Sequence, residues 1–298
     1  MILSIVSILF AGYLASCSRG SVSAETTAVL LGGRSLGGKT ESYPCDVAIG
    51  DIGYYLAGLG AAVLNGQIVY CGGRDNDNEY RRNCFKNEGM DWIEFESMNV
   101  ARIDFTLTTL GDKILAAGGY NSKEGRTATV EVFDGSSWKL QNYELTSVRN
   151  LHCAVPISES QVMLLGGFSN GYLSLVEVYS IEEGFIAELP SMPTARYGLG
   201  CSMFKGEIWT AGGYNGGSLD VVEVLTPGFT GGTWRSGPKL TKSRYYLTME
   251  VLDNSLVVFG GVGGGVANSL EILQGEEWRE EPLQYRHTDH ASVSIPCN

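Results

Sequence analysis

The chain has 298 residues, of which 44% are hydrophobic and 18% charged, with a formal net charge of -12. So acidic a chain, without a basic run, is a poor nucleic-acid binder. Forty glycines and no amphipathic helical period point to a turn-rich, all-β molecule.

From the N-terminus, residues 2–14 form an apolar stretch too short to span a bilayer comfortably, and Val22-Ser23-Ala24 follows as a cleavage pattern. Residues 1–24 therefore read as a secretory signal peptide, with earlier cleavage near 16–20 as a variant. Leu14-Ala15-Ser16-Cys17 offers the alternative of a bacterial lipoprotein anchored through Cys17. No other segment is long and apolar enough to span a membrane.

Residues 25–298 carry six Gly-Gly pairs, at Gly32, Gly72, Gly118, Gly166, Gly212 and Gly260, in steps of 40, 46, 48, 46 and 48 residues. Each pair ends a short, nearly continuous apolar run, such as Val162-Met163-Leu164-Leu165, which fits a strand buried on both faces. An alternating strand follows the later pairs, as in Val176-Glu177-Val178-Tyr179, and then an aromatic residue: Trp92, Trp138, Phe185, Trp234 or Trp278. The aromatics are expected to fill the widening gap between blades near the rim. An Arg and a small-residue strand lead into the next pair. A period of this length predicts six four-stranded blades around one axis. The first repeat departs most, since Ser35 to Gly50 shows neither the Val-Glu-Val strand nor the Trp. The chain opens in a second strand, and His290 to Ile295 reads as a first strand with no glycine pair after it. The C-terminal strand is therefore expected to complete the N-terminal blade and close the ring.

The series of apolar run, Gly-Gly, Val-Glu-Val, Trp and Met-Pro-x-x-Arg-Tyr-Gly, clearest between Met192 and Trp234, resembles the kelch repeat. The resemblance implies a six-bladed kelch-type β-propeller. It also implies an exported, monomeric binding or scaffold module rather than an enzyme, without cofactor or metal. Kelch proteins that use the Arg-bearing face as a receptor grip acidic peptides there. By that likeness Arg102, Arg149, Arg196, Arg244 and Arg286 become candidate ligand-binding residues, with Tyr197, Tyr245 and Tyr285 beside them. Against this, Arg102 is placed to pair with Glu131, Arg149 with Glu177, Arg196 with Glu223 and Arg244 with Glu271, as a scaffold would require. The resemblance also extends to a six-bladed sugar epimerase or mutarotase of sialic-acid type, using an Arg and an acid at the mouth, and more distantly to galactose-oxidase-like copper chemistry. The helical BTB and BACK regions of intracellular kelch proteins have no counterpart in the sequence.

Loops between second and third strands (74–80, 121–126, 169–172 and 215–218) are expected to crown the Arg-bearing face, where recognition usually resides. His152, His287 and His290 read as surface or channel residues. Setting Cys17 aside, six cysteines remain. Cys71 and Cys84 face each other across one ladder, and Cys45 and Cys297 fall in the closing blade, so both pairs are disulfide candidates. Cys153 and Cys201 lie in inner strands of successive blades and read as buried thiols in preference to a bonded pair.

Overall fold

A computed structural model describes residues 26–33, 39–44, 47–53, 56–228 and 231–297. The expected signal segment, the lipobox and Cys45 lie outside these residues. Five four-stranded antiparallel sheets and one three-stranded sheet surround a common axis. Blade two runs from Gly60–Leu64 to Asp91–Phe95, and blade three from Thr106–Leu110 to Trp138–Glu144. Blade four runs from Cys153–Pro156 to Gly184–Leu189, blade five from Gly200–Phe204 to Thr233–Ser236, and blade six from Thr248–Leu252 to Glu277–Pro282. No helix occurs among the described residues, and hence none long and apolar enough to cross a membrane.

The closing blade joins the two ends of the chain. Thr26–Leu31 pairs antiparallel with Ala291–Pro296 over six positions, from Thr26 opposite Pro296 to Leu31 opposite Ala291. On its other side it pairs with Glu41–Tyr43, a third strand that the sequence pattern did not reveal. Alternation along Thr26–Leu31 explains its continuous apolar character. Ala28 and Leu30 pack with Leu252 and Phe259 of blade six, whereas Val29 and Leu31 pack with Leu59 and Tyr70 of blade two. Both faces are core, so the period-two polar signal of a half-exposed strand disappears.

The glycine pairs are required by contact and conformation together. At Gly118 and Gly119 φ is 63° and 105°, and a Cβ on Gly118 would lie 2.7 Å from the Arg149 carbonyl oxygen. Only glycine meets both demands without strain.

The rim tryptophans seal the blade interfaces and also donate hydrogen bonds. Each indole N–H reaches a carbonyl of the preceding connection: Trp92 to Gly50 (2.8 Å), Trp138 to Glu96 (2.9 Å), Trp234 to Pro190 (2.7 Å) and Trp278 to Pro238 (2.8 Å). Phe185, expected to fill the same role, is instead 45% exposed. It has no N–H with which to hold the position.

Two disulfides are defined. Cys71 and Cys84 sit directly opposite each other in the ladder and are bonded, as the strand register predicts. Cys153 and Cys201 are also bonded, which corrects the preference for free thiols. The inner strands of blades four and five converge toward the axis and bring the two Cα atoms to 6.0 Å, within disulfide reach. Cys297 is disulfide-bonded as well.

Candidate functional site

Six structurally equivalent residues enter the inner strands. Their carbonyls accept the N–H of the second glycine of a neighbouring pair: Arg102 from Gly73, Arg149 from Gly119, Arg196 from Gly167, Arg244 from Gly213 and His287 from Gly261, with Leu56 equivalent through Gly33. This register moves the expected closing-blade position by one residue. Arg286 is exposed, and His287 occupies the slot.

The four arginines in this slot are fully buried and face away from solvent. Arg102 donates to Gly118 O (2.7 Å), Thr129 O (3.1 Å) and Glu131 (2.7 Å); Arg196 donates to Gly212 O (3.1 Å), Val221 O (3.2 Å) and Glu223 (3.0 Å). Arg149 pairs with Glu177, and Arg244 with Glu271 at 2.6 Å. The guanidinium groups of Arg102, Arg196 and Arg244 thus tie the start of one strand to the loop and third strand of the blade, whereas Arg149 bonds Ser147 and Glu177. Burial lowers the affinity of the Arg196 guanidinium for its proton, to a pKa of about 10, against the opposing attraction of Glu223. It stays charged at neutral pH.

In the closing blade the pair becomes His287 Nε2 to Glu41 Oε2 at 2.8 Å. Glu41 also accepts the N–H of Gln284 (2.7 Å) and Tyr285 (3.1 Å), as Glu131 accepts those of Asn99 (2.6 Å) and Val100 (3.0 Å). His152 and His290 are likewise buried, not surface groups. Their Nε2 atoms meet Thr106 Oγ1 (3.1 Å) and Thr248 Oγ1 (3.0 Å) across blade interfaces. Burial, with Arg149 nearby, holds His152 down to a pKa of about 3, so it is neutral at pH 7.

Two residues beyond this slot lies a ring of left-handed residues around the axis: Gly58, Asp104, Leu151, Gly198, Tyr246 and Asp289, with φ between 54° and 65°. Their amides link blade to blade. Asp104 N–H donates to Gly58 O (2.9 Å), Leu151 to Asp104 O (2.8 Å), Gly198 to Leu151 O (2.8 Å) and Tyr246 to Gly198 O (2.8 Å). Non-glycine residues are uncommon in this conformation, and such strain gathers at functional sites.

Above the ring opens a cup of about 590 Å3. Its charged lining consists of Arg74, Arg126 and Asp104. Its walls are aromatic, with Tyr80 and Tyr120 on one side and Phe168, Tyr172, Tyr197 and Tyr246 on the other. Short, self-bonded loops set these groups in place. Asp75 accepts the N–H of Asp77 and Glu79, both at 3.0 Å, and pairs with Arg81, which fixes the turn between Arg74 and Tyr80. Asn121 Oδ1 accepts from Lys123 N (3.0 Å) and Glu124 N (2.9 Å) and shapes the turn that presents Arg126.

Within the cup, Arg126 Nε donates to Asn150 Oδ1 at 3.0 Å, and Asn150 Nδ2 donates to Asp104 Oδ2 at 3.3 Å. The Arg126 guanidinium also lies 4.6 Å over the Phe168 ring. Arg74 Nε is buried without a hydrogen-bond partner. Burial, together with the neighbouring tyrosines, raises the pKa of the Tyr197 hydroxyl, which keeps its proton at neutral pH. The arrangement offers cations for a carboxylate, flat rings for an apolar face, and a carboxylate beside phenolic hydroxyls for proton transfer.

Of the Arg and Tyr candidates named individually in the sequence, Tyr197 lines the cup and Tyr245 lies just outside it, while the expected crown loops supply Arg74, Tyr80, Arg126 and Tyr172. Arg74 and Arg126 were expected only as parts of those loops, and Asp104 was not singled out. Arg74, Tyr120, Phe168 and Tyr214 all directly follow a glycine pair, so that position marks the crown in the sequence.

Below the ring the channel continues past Glu250, whose carboxylate accepts from Ser292 Oγ at 2.7 Å. Burial pushes its pKa up from 4.5 to about 7, against the lowering effect of the Ser292 and Ser294 hydroxyls. The folded state therefore holds this proton more tightly than the unfolded chain. Its contribution to stability is complete in acid and is lost as pH rises from about 4.5 through about 7. In urea titrations Glu250→Gln is expected to match the parent at pH 4 and to exceed it by about 1–3 kcal/mol at pH 8. Equal stability of the two proteins at pH 8 would contradict the burial argument.

The kelch motif model matches residues 101–140 and 195–241. Kelch-like protein 36 of Bos taurus is 27% identical over 195 residues, covering 59% of this chain and 32% of its own. The Mus musculus protein is 26% identical over the same shares. The chain thus spans about a third of the length of these curated relatives. Among solved structures, that of YjhT superposes with a TM-score of 0.66 at 13% identity, covering 88% of this chain and 96% of the other. This match corrects the expectation of a purely non-enzymatic binding module. The molecule is a six-bladed β-propeller containing kelch motifs, shut by the pairing of its N- and C-terminal strands.

Proposed function

We propose that the protein is an exported enzyme of free acidic sugars, a mutarotase or epimerase of sialic-acid type working in the cup. The observation that carries this reading is the convergence of Arg74, Arg126 and Asp104 within aromatic walls, in a molecule of net charge -12. The two guanidinium groups hold the sugar carboxylate by charge-assisted hydrogen bonds. The rings of Tyr172 and Tyr120 face the C–H surfaces of the pyranose. Asp104 takes the proton from the anomeric hydroxyl while the Tyr197 hydroxyl protonates the ring oxygen. The ring C–O bond breaks, and an open-chain carbonyl forms. After rotation about the neighbouring C–C bond, the ring hydroxyl adds to the other face and both protons return. Atoms and electrons balance without a cofactor. Disulfides in the blades agree with an oxidising compartment. Export would follow from residues 1–24, or from a lipid on Cys17.

The test is exchange NMR between the anomeric resonances of free sialic acid at pH 7. Catalytic amounts of protein are expected to accelerate exchange well above the buffer rate. The double variant Arg74→Ala/Arg126→Ala is expected to lose at least 100-fold of the gain with its circular dichroism unchanged. Exchange at the buffer rate with the parent protein would sink the proposal.

A further inference from the structure

The aromatic surface does not stop at the cup. Tyr172 and Tyr197 line it, with ring centroids 5.9 Å apart and nearly parallel planes. Tyr214 continues the series outward over blade five, 5.4 Å from Tyr197 at an interplanar angle of 26°. Tyr245, at the edge of blade six, packs 5.1 Å from Tyr214, 6.5 Å from Tyr197 and 4.7 Å from Tyr246, so the rings form a cluster beside the cup. Neither Tyr214 nor Tyr245 belongs to the cup lining. Both are half-buried, and the loop beyond Tyr214 (Asn215, Gly216, Gly217) is short and exposed.

The cluster is built by the repeat and is one-sided. Tyr197 and Tyr245 directly follow slot arginines, and Tyr214 follows a glycine pair; isolated bridges join Tyr197 to Tyr214 and Tyr214 to Ser218. The same positions in blade two carry Ala57 and Arg74, and those in the closing and sixth blades carry Thr288 and Val262. The half-buried rings of Tyr214 and Tyr245, beside the exposed Tyr172, offer aromatic surface of the kind that marks an interaction site. A compact cluster of rings beside the cup, rimmed by Asn215 and Ser218, suits the C–H face of a hydroxylated sugar unit linked to one held in the cup.

We infer that the ligand is an acidic oligosaccharide whose reducing-end unit enters the cup while its next one or two units stack on Tyr214 and Tyr245. This rests on the reading of the cup as a sugar site and adds the length of the ligand to it.

The experiment compares free sialic acid with its α2,8-linked dimer and trimer, by calorimetric affinity and by anomer exchange of the reducing-end unit. The dimer or trimer is expected to bind at least tenfold tighter than the monomer. Tyr214→Ala/Tyr245→Ala should abolish that gain, read as the ratio of dimer or trimer affinity to the same variant's monomer affinity, whereas Tyr214→Phe/Tyr245→Phe, which keeps the rings, should preserve it. Monomer turnover with no gain from length, or a gain that survives the alanine pair, overturns the subsite and leaves the cup reading intact. Failure of all three sugars to bind and exchange overturns both.

Discussion

Replacing Arg196 by alanine is expected to destabilise the propeller by about 3–5 kcal/mol, because it strands a buried carboxylate. Glu223 is 4% exposed, and with the guanidinium removed it keeps only Thr194 and the edge of the blade. Gly212 O also loses the Arg196 donor, and Val221 O is left with the Gly212 N–H. At about 2–4 °C per kcal/mol for a domain approaching this size, the melting temperature should fall by roughly 10 °C. The control is Arg286→Ala. That side chain is exposed, and its loss should change stability by no more than about 0.5 kcal/mol. Thermal melts of the two variants read the difference directly. A silent Arg196→Ala would mean that the buried pairs do not hold the blades.

The second large effect falls on turnover. Asp104→Asn keeps the size of the side chain and removes its charge, so the hydrogen bond to Asn150 can be rebuilt through the new amide. Stability should change little. If Asp104 is the base that takes the anomeric proton, kcat/KM for anomer exchange should fall by about 100- to 10,000-fold. The drop should lie in kcat more than in KM, since the arginines still hold the carboxylate. Retained kcat in a folded Asp104→Asn protein would remove the acid from the chemistry. Gly58→Ala should disturb the same group differently. A Cβ there would meet Asp104 Oδ1 at 2.6 Å on a residue with φ of 65°.

Both expectations trace to a division visible in the chain itself. What recurs is scaffold, and what breaks the recurrence is site. The glycine pairs, the slot arginines and the Val-Glu-Val strands repeat because every blade solves the same packing problem. For that reason the blade count and the ring closure are legible from spacing. The repeating Arg looked like a receptor surface only until its burial was known, and burial depends on the angle at which neighbouring blades meet. Arg74, Tyr120, Phe168, Tyr214 and Val262 share one structural position but not one residue type. A search for periodicity passes over such a position. Asp104 is hidden in the same way, among Gly58, Leu151, Gly198, Tyr246 and Asp289.

Two details of the closing blade, its slot residue and its outer strand, escaped notice for a related reason. His287 stands where other blades have Arg, so the pattern placed the site one residue early at Arg286. Glu41 lies on a strand of three residues, too short to show alternation. The bond between Cys153 and Cys201 depends on how closely inner strands converge at the axis, a distance absent from the sequence. Phe185 followed the rim pattern in hydrophobicity and departed from it in hydrogen bonding, and the hydrogen bond decided its position.

The most direct measurement is a crystal structure of the protein soaked with free sialic acid. It should show the sugar carboxylate against Arg74 and Arg126 and the anomeric hydroxyl at Asp104, with Arg102, Arg149, Arg196 and Arg244 still paired to their glutamates. A sugar bound away from the cup, or one contacting any of those four arginines, would contradict the account.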